Sequence, residues 1–402
     1  MHFTYFAKKV SGEEIRGVME ANDRFDLAKL LKQQDYVLVS CKEDSGKKFF
    51  FTIPAIFNSV SISDKIFFSR NLSVMVSAGV SIARGLEILG RQTKNTSLKK
   101  ILANLTDFIK KGGSLSEGMK QYPRVFSSLF TAMVRVGEET GKLSESLILV
   151  SEQIERDNAI RKKVKGAMMY PSIVVIVMIL IGILMLIYVV PTLTATFEEL
   201  GVELPMSTQI IILLSNFFTQ HTILFLIILL ITISTIAFFA RSPGGKKVMG
   251  GILLHFPLFS PLVKKVNAAR TSRSLASLIS AGVDVLEALA ITKDVVQNDK
   301  FKAVLEMAKS DIQKGIPMSE SFKKSANLYP ILVGEMMAVG EETGKLTDML
   351  LRLATFYEDE VAESTKNMST VIEPILMVII GAGVGFFAIS MIKPMYSMVS
   401  GM

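Results

Sequence analysis

The octapeptide Val-Gly-Glu-Glu-Thr-Gly-Lys-Leu occurs twice, at 136–143 and 339–346. A glycine, a short gap and Gly-Lys outline a phosphate-binding loop, in which backbone N–H groups wrap the phosphates and a following Ser or Thr holds magnesium. The spacing does not support that chemistry. Only three residues lie between Gly137 and Gly141, one short of the cradle, and Leu143 stands after Lys142 where the hydroxyl is needed. The preceding "LFTAMVRV" suits a helix better than a buried strand. Glu138 and Glu139 would repel a polyphosphate at close range. The second copy, with Gly340, Glu341, Glu342 and Gly344, has the same faults, so nucleotide binding at these sites is rejected. Two readings stay open. One is a helix–turn–helix corner, with glycines that let the backbone turn and acids near the start of the following helix. The other is a contact surface, either a docking face or an intrachain carboxylate contact, which would explain why two diverged copies keep all eight letters.

The other reactive residue types do not assemble into a site. His2, His221 and His255 are far apart and Cys41 is the one cysteine, so neither zinc-ligand spacing nor an internal disulfide arises. No G-x-S-x-G elbow, H-E-x-x-H pair or Ser-His-Asp set is present, and no enzyme activity or cofactor is expected. A hard cation held by surface carboxylates stays open. The net charge of +8 suits either nucleic acid or the edges of a membrane. No nucleic-acid signature and no basic stretch with interleaved aromatics accompanies it, so the bilayer is the expected partner and direct nucleic-acid binding is not expected.

The elements that must carry these motifs follow from hydropathy. Half of the 402 residues are hydrophobic and mean hydropathy is +0.41, which indicates membrane spans joined to water-soluble domains. The N-terminus has no apolar signal segment. Three tracts satisfy the roughly 20 residues needed to cross a bilayer: 170–191, 208–240 and 372–392. Arg161, Lys162, Lys163 and Lys165 precede the first, and Arg241, Lys246 and Lys247 follow the second. The loop between them, 192–207, has acids and no Lys or Arg. Both large soluble parts are therefore expected in the cytoplasm with the N-terminus, and the loop and the tail 393–402 outside. Tyr170-Pro171 and Glu373-Pro374 stand at the membrane entries. The first span is expected to end at Pro191, and Pro374 to occupy a first helical turn with Glu373 as a cap.

The two octapeptides are 339 − 136 = 203 residues apart, and that offset recurs along the chain. Ser-Ala-Gly-Val at 77 meets the same at 280, Ser69-Arg70 meets Ser272-Arg273, Ser116-Glu117 meets Ser319-Glu320, and Pro171 meets Pro374. The chain is thus a duplication of a helical bundle plus one membrane helix, with an extra span returning it to the cytoplasm. The bundles are expected at 63–168 and 266–370, six helices each, with a connector at 241–262 and a small α/β cap at 1–58. In the first copy Ser63 is expected to cap a helix that stops near Gly79 and buries Ile66, Phe67, Leu72, Val74, Met75 and Val76. Ser114 and Glu117 form a candidate capping box. The fold class expected is an all-α membrane protein with that α/β cap.

These residues resemble the polytopic inner-membrane platform proteins of type II secretion systems and type IV pilus machines. The resemblance covers nearly the whole chain. It rests on the opening F-x-Y-x-A with "SGEEIRG" and "DRFDLAKLL", the twin "SAGV" and "GEETGKL" segments, "FPLFSPL", and "IEPILMVIIGAGVGFFAISMIKPMY". One departure is Phe126-Ser127, where the second copy has Tyr329-Pro330. The resemblance implies a homo-oligomeric scaffold, dimer or trimer, in the bacterial inner membrane. It implies as partners a cytoplasmic hexameric assembly or retraction ATPase, pilins or pseudopilins, and other inner-membrane assembly components. The alternative reading is a small polytopic transporter or channel subunit, and a membrane-anchored NTPase is a third, weakened by the loop spacing.

Overall fold

The computed structural model describes residues 2–9, 14–21, 23–33, 36–44, 59–199 and 204–400. It divides into two units, 1–59 and 60–402. In the first, strand β1 (His2–Lys9) pairs antiparallel with both β2 (Glu14–Glu20) and β3 (Tyr36–Asp44). Helix α1 (Arg24–Lys32) begins where Asp23 accepts the N–H groups of Phe25 and Asp26, both at 2.8 Å. Leu27 and Leu31, one turn apart, are buried with Tyr5 and Ala7, two apart on β1, so helical and strand periodicities converge on one small core. The strands in "FTYFAKK" and "YVLVSC" and the helix between them match the sequence reading. The strand at Glu14–Glu20 is additional, because its charged, Gly17-containing sequence lacks apolar alternation and backbone pairing supplies its order. The rest of the expected cap, 45–58, lies outside the described residues.

In the second unit the first repeat comprises α2 (Ile62–Ser77), α3 (Ile82–Gln92), α4 (Thr96–Lys110), α5 (Leu115–Lys120), α6 (Ser128–Glu139) and α7 (Leu143–Leu184). Then come α8 (Val190–Glu199), α9 (Met206–Gln220), α10 (Thr222–Arg241) and α11 (Pro243–His255). The second repeat comprises α12 (Ser260–Ser280), α13 (Val285–Val295), α14 (Asp299–Gln313), α15 (Met318–Lys324), α16 (Ile331–Thr343) and α17 (Leu346–Ser400). Each repeat thus has six helices among the described residues. The connector 241–262 is largely helical, since Ser242 caps α11 and Pro243 sits in its first turn.

The cap of α2 is Ser61, not Ser63. Ser61 and Asp64 form a reciprocal capping box, with both hydrogen bonds at 3.0 Å. Burial in α2 also departs from the apolar pattern: Phe68, Ser69, Leu72 and Ser73 face inward, while Phe67 and Val74 are exposed. The serines take core positions because their hydroxyls are satisfied, Ser69 donating to the Lys65 carbonyl at 2.8 Å and Ser73 to that of Ser144 at 2.9 Å. Their small size lets α2 lie close to α7.

Several boundaries in the apolar region differ from expectation. Helix α7 passes through Pro171, continues as a π-helical turn at Met185–Val189, and α8 carries on through Pro191 to Glu199. The helix therefore does not end at Pro191. The π turn shifts the hydrogen-bond register just before this proline, which has no N–H to give. Helix α17 runs unbroken through Pro374 and Pro394, so Pro374 is not in a first turn and Glu373 caps nothing. Each proline removes one helical donor, and the long helix on both sides absorbs that loss. Over 208–240 a single helix does not form: the chain breaks at His221, φ −123° and ψ 32°, leaving α9 and the apolar α10. Ser215 and Thr208 on α9 are buried, donating to the carbonyls of Leu186 at 2.6 Å and Ser390 at 2.5 Å. Glu203, in the expected outer loop, lies outside the described residues.

Two described helices are long and apolar enough to cross a membrane, within 143–197 and 346–394. Only 6% and 17% of their most apolar windows are buried, so these are not core helices of a water-soluble bundle.

The repeats share one hydrophobic core. Asp157 of α7 pairs with Arg270 of α12 at 2.8 Å, Gln153 accepts from Ser277 at 3.0 Å, and Arg135 of α6 pairs with Glu287 of α13. Equivalent positions have diverged with their surroundings. The rings of Phe68 and Phe126 meet at a tilt, 5.6 Å apart, in the first copy. Their counterparts, Thr271 and Tyr329, share a buried hydrogen bond of 2.9 Å. An ion pair is kept in both copies. Arg70–Glu155 is largely exposed, whereas Arg273 makes two bonds to Glu358, at 2.8 and 2.9 Å, with side chains 13% and 9% exposed. Removing one partner of a buried pair strands a charge, whereas an exposed pair contributes little. Arg273→Ala should therefore cost about 3–5 kcal/mol, and Arg70→Ala less than about 1 kcal/mol. Thermal unfolding of the detergent-solubilised protein checks this, and equal losses would refute it.

Candidate functional site

The two octapeptides form the corners between α6 and α7 and between α16 and α17. Each corner is a close crossing of two helices. A Cβ on Gly137 would lie 2.5 Å from Ser146 Oγ and 3.0 Å from Leu143 Cα. On Gly340 it would lie 2.9 Å from Leu346 Cα. Only glycine lets the two backbones approach so far. The threonine hydroxyls turn back on their own helices, Thr140 to the Val136 carbonyl at 2.7 Å and Thr343 to that of Val339 at 2.6 Å. The chain then reverses through Gly141 and Gly344, at φ +72° and +70°, the left-handed region that favours glycine.

The first glutamate of each motif has an internal partner. Glu138 accepts the N–H groups of Leu115 at 2.6 Å and Ser116 at 3.0 Å, the first turn of α5. Glu341 accepts those of Met318 at 2.8 Å and Ser319 at 3.3 Å, the first turn of α15. A helix N-terminus is a ready anion site, and the chain fills both with its own carboxylates. The acids thus sit in the last turn of one helix and serve the start of another, not the start of the helix that follows them. The sequence signal for the receiving turns was the repeated Ser-Glu at 116 and 319. The capping box at Ser114 and Glu117 forms as expected, with bonds of 3.4 and 3.2 Å. In the second copy Pro317 takes that cap position and supplies no side-chain bond.

Glu139 and Glu342 face solvent in the last turns of α6 and α16. An acid there opposes the helix dipole, a local cost of about 0.3–1 kcal/mol. Lys142 and Lys345, just beyond the helix ends, are also exposed, but their charge suits the dipole. Both copies therefore keep an acid that the corner itself disfavours.

The second group, Tyr170, Pro171, Glu373 and Pro374, lies far from the corners. From 143 to 171 along α7 is about 40 Å at 1.5 Å per residue. Pro171 is buried, whereas Tyr170, Glu373 and Pro374 are exposed. The fold does not bring these residues together with the corner motifs.

The capping geometry gives an ordered prediction. Losing an acceptor for part-buried N–H groups costs about 1–3 kcal/mol. Glu341→Ala should lie at the upper end, because Pro317 offers no substitute, and Glu138→Ala lower, because the Ser114 box remains. Thermal melts of the two variants check the order; a silent Glu341→Ala would sink the capping role.

The family model described as type II secretion system (T2SS), protein F, matches twice, over residues 68–191 and 271–394. Both ends of the second match lie 203 residues beyond those of the first, the offset of the repeat. The chain is 32% identical over 398 residues to the type IV pilus assembly protein PilC of Thermus thermophilus, covering 99% of this chain and 98% of that protein. It is 32% identical to the PilC of Myxococcus xanthus, over 98% and 94% of the two chains. To the type II secretion system protein F of Pseudomonas aeruginosa it is 26% identical, over 98% of both. With a duplicated bundle, the same repeat offset and full-length similarity, the chain belongs to the type II secretion system protein F family.

Proposed function

We propose that this protein is a non-enzymatic inner-membrane platform of a type IV pilus or type II secretion machine. In this reading it couples a cytoplasmic, hexameric assembly ATPase to the addition of pilin or pseudopilin subunits. The observation that carries the reading is the pair of solvent-facing acids, Glu139 and Glu342, at matching corners of two bundles built on long apolar helices. An acid that is locally unfavourable stands at this position in both copies, which favours an external contact over a structural task. The octapeptide has no phosphate cradle, so the energy source is a partner. The relatives' names place them in pilus assembly and secretion. Thr208 and Ser215 donate to carbonyls inside the apolar region, so these buried hydroxyls do not line a solute path, which weighs against a transporter.

The proposed topology adds α10 as a third span to the two long helices. Both bundles and the N-terminal unit are then cytoplasmic, and 192–207 and 393–402 external. Tyr170-Pro171 and Glu373-Pro374 mark where α7 and α17 pass from charged to apolar surroundings. Other inner-membrane assembly components and further copies of the chain complete the partners.

Two experiments test this. Glu139→Lys with Glu342→Lys should leave stability unchanged or slightly raised, since a cation suits a helix C-terminus, yet lower pilus or secreted-protein output and weaken capture of the ATPase. Intact output and capture would refute the contact. In a Cys41→Ser background, an impermeant thiol reagent added from outside should label Glu199→Cys and leave Lys314→Cys unlabelled. Labelling at 314 would overturn the topology.

A further inference from the structure

Besides the packing of α7 on its own counterpart α17, the repeats meet through unlike faces. The first offers α6 and α7, and the second receives them on α12 and α13. Gln153 meets Ser277, and Val136 lies beside Gly282, where a Cβ would touch its Cγ1 at 3.5 Å. Because the chain is duplicated, each face exists a second time, 203 residues away. The second repeat also has an α16–α17 face, and the first also has an α2–α3 face. Both are uncovered. Gln153 is 6% exposed, but its counterpart Phe356 is 46% exposed. Val136 is 7% exposed and its counterpart Val339 is 46% exposed. Opposite them, Val74, the counterpart of Ser277, is 66% exposed. If a two-fold related the repeats, these faces would close on each other within one chain. Their exposure means the arrangement is open at both ends.

From this geometry we infer that the α16–α17 face of one chain docks on the α2–α3 face of a second copy, repeating between chains the contact already made between repeats. The substitutions fit that occupant. The internal Gln153–Ser277 hydrogen bond becomes an apolar Phe356–Val74 contact, and Phe67, one of the α2 residues expected in the core, extends the same stripe. The internal contact pairs Arg135 of α6 with Glu287 of α13. At the open faces the counterpart of Glu287 is Arg84 and that of Arg135 is Ala338, with Glu335 one turn before it on α16, so an acid and a base remain available across the contact. Glu335 and Arg84 are themselves more than half exposed, and pair locally with Lys323 at 3.5 Å and Glu87 at 3.2 Å. Lipid is not the cover, since Phe356 stands among Arg352, Glu358, Asp359 and Glu360. A contact between unlike faces propagates head to tail, and closes into a ring if the rotation allows.

The inference deepens the self-association in the proposed function and rests on that part of it. The test uses the full chain in membranes, in a Cys41→Ser background. One tagged chain carries Val74→Cys and a differently tagged chain carries Phe356→Cys. Mild oxidation or a short bismaleimide should yield a mixed dimer. Gln153→Cys with Ser277→Cys in one chain should link internally without a change in mass. No mixed dimer while that control links would overturn the surface, as would Val74→Cys chains linking only to each other. Val74→Asp and Phe356→Asp, both at exposed positions, should each reduce the mass of the solubilised particle by at least twofold. An unchanged mass also overturns it. If the unsubstituted protein is multimeric and no mixed link forms, this surface alone fails. If it is monomeric, self-association fails with it.

Discussion

Each bundle depends on one carboxylate that ties two helices, beside a glycine that admits a third. Glu138 and Glu341 sit in the last turn of α6 or α16 and accept N–H groups from the first turn of α5 or α15. The adjoining glycines bring α7 and α17 against those same helices. The direction in which each long helix leaves its bundle is set there. An ionised acceptor on two backbone donors is stronger than a neutral hydrogen bond, and it fixes a short helix of six or seven residues that has little stability alone. Without that tie, a long lever such as α17 would not be aimed by the bundle at its base.

Duplication supplied two copies of this arrangement, and their surroundings then pulled them apart. The pair Arg70–Glu155 stays at the surface, while Arg273–Glu358 is enclosed and bidentate. Phe68 and Phe126 make an apolar aromatic contact, whereas Thr271 and Tyr329 make a polar one in the same place. Burial of Tyr329 pushes its phenol well above the usual range, against the smaller opposing effect of the Thr271 hydroxyl, so it stays neutral and able to donate. These differences accompany a repeat contact in which α7 packs on its counterpart α17 while α6 and α7 also meet α12 and α13.

The apolar half of the molecule obeys a different constraint. Where water is excluded, backbone groups must be satisfied within the helix or by a neighbour. The long helices therefore run through Pro171, Pro374 and Pro394 instead of stopping. Polar side chains there, Thr208 and Ser215, bond carbonyls of other segments and tie α9 to its neighbours.

The sequence alone determined the duplication, its offset of 203 residues, the helical character of each copy and most helix stops. Those depend on local patterns: apolar spacing, Ser114–Glu117 as a box, glycine after a last turn. It also excluded a phosphate cradle, because that is a matter of residue count. Which glutamate of each pair turns inward could not be read, since Glu138 and Glu139 are chemically the same and only the position of α5 separates them. The outward turn of Phe67 and Val74, and the burial of Ser69 and Ser73 in their place, likewise depended on how closely α7 approaches. The prolines misled because a locally unfavourable residue is tolerated when a long helix continues on both sides. Tertiary structure decided these points because each is a competition between a local preference and a contact made by residues distant in the chain.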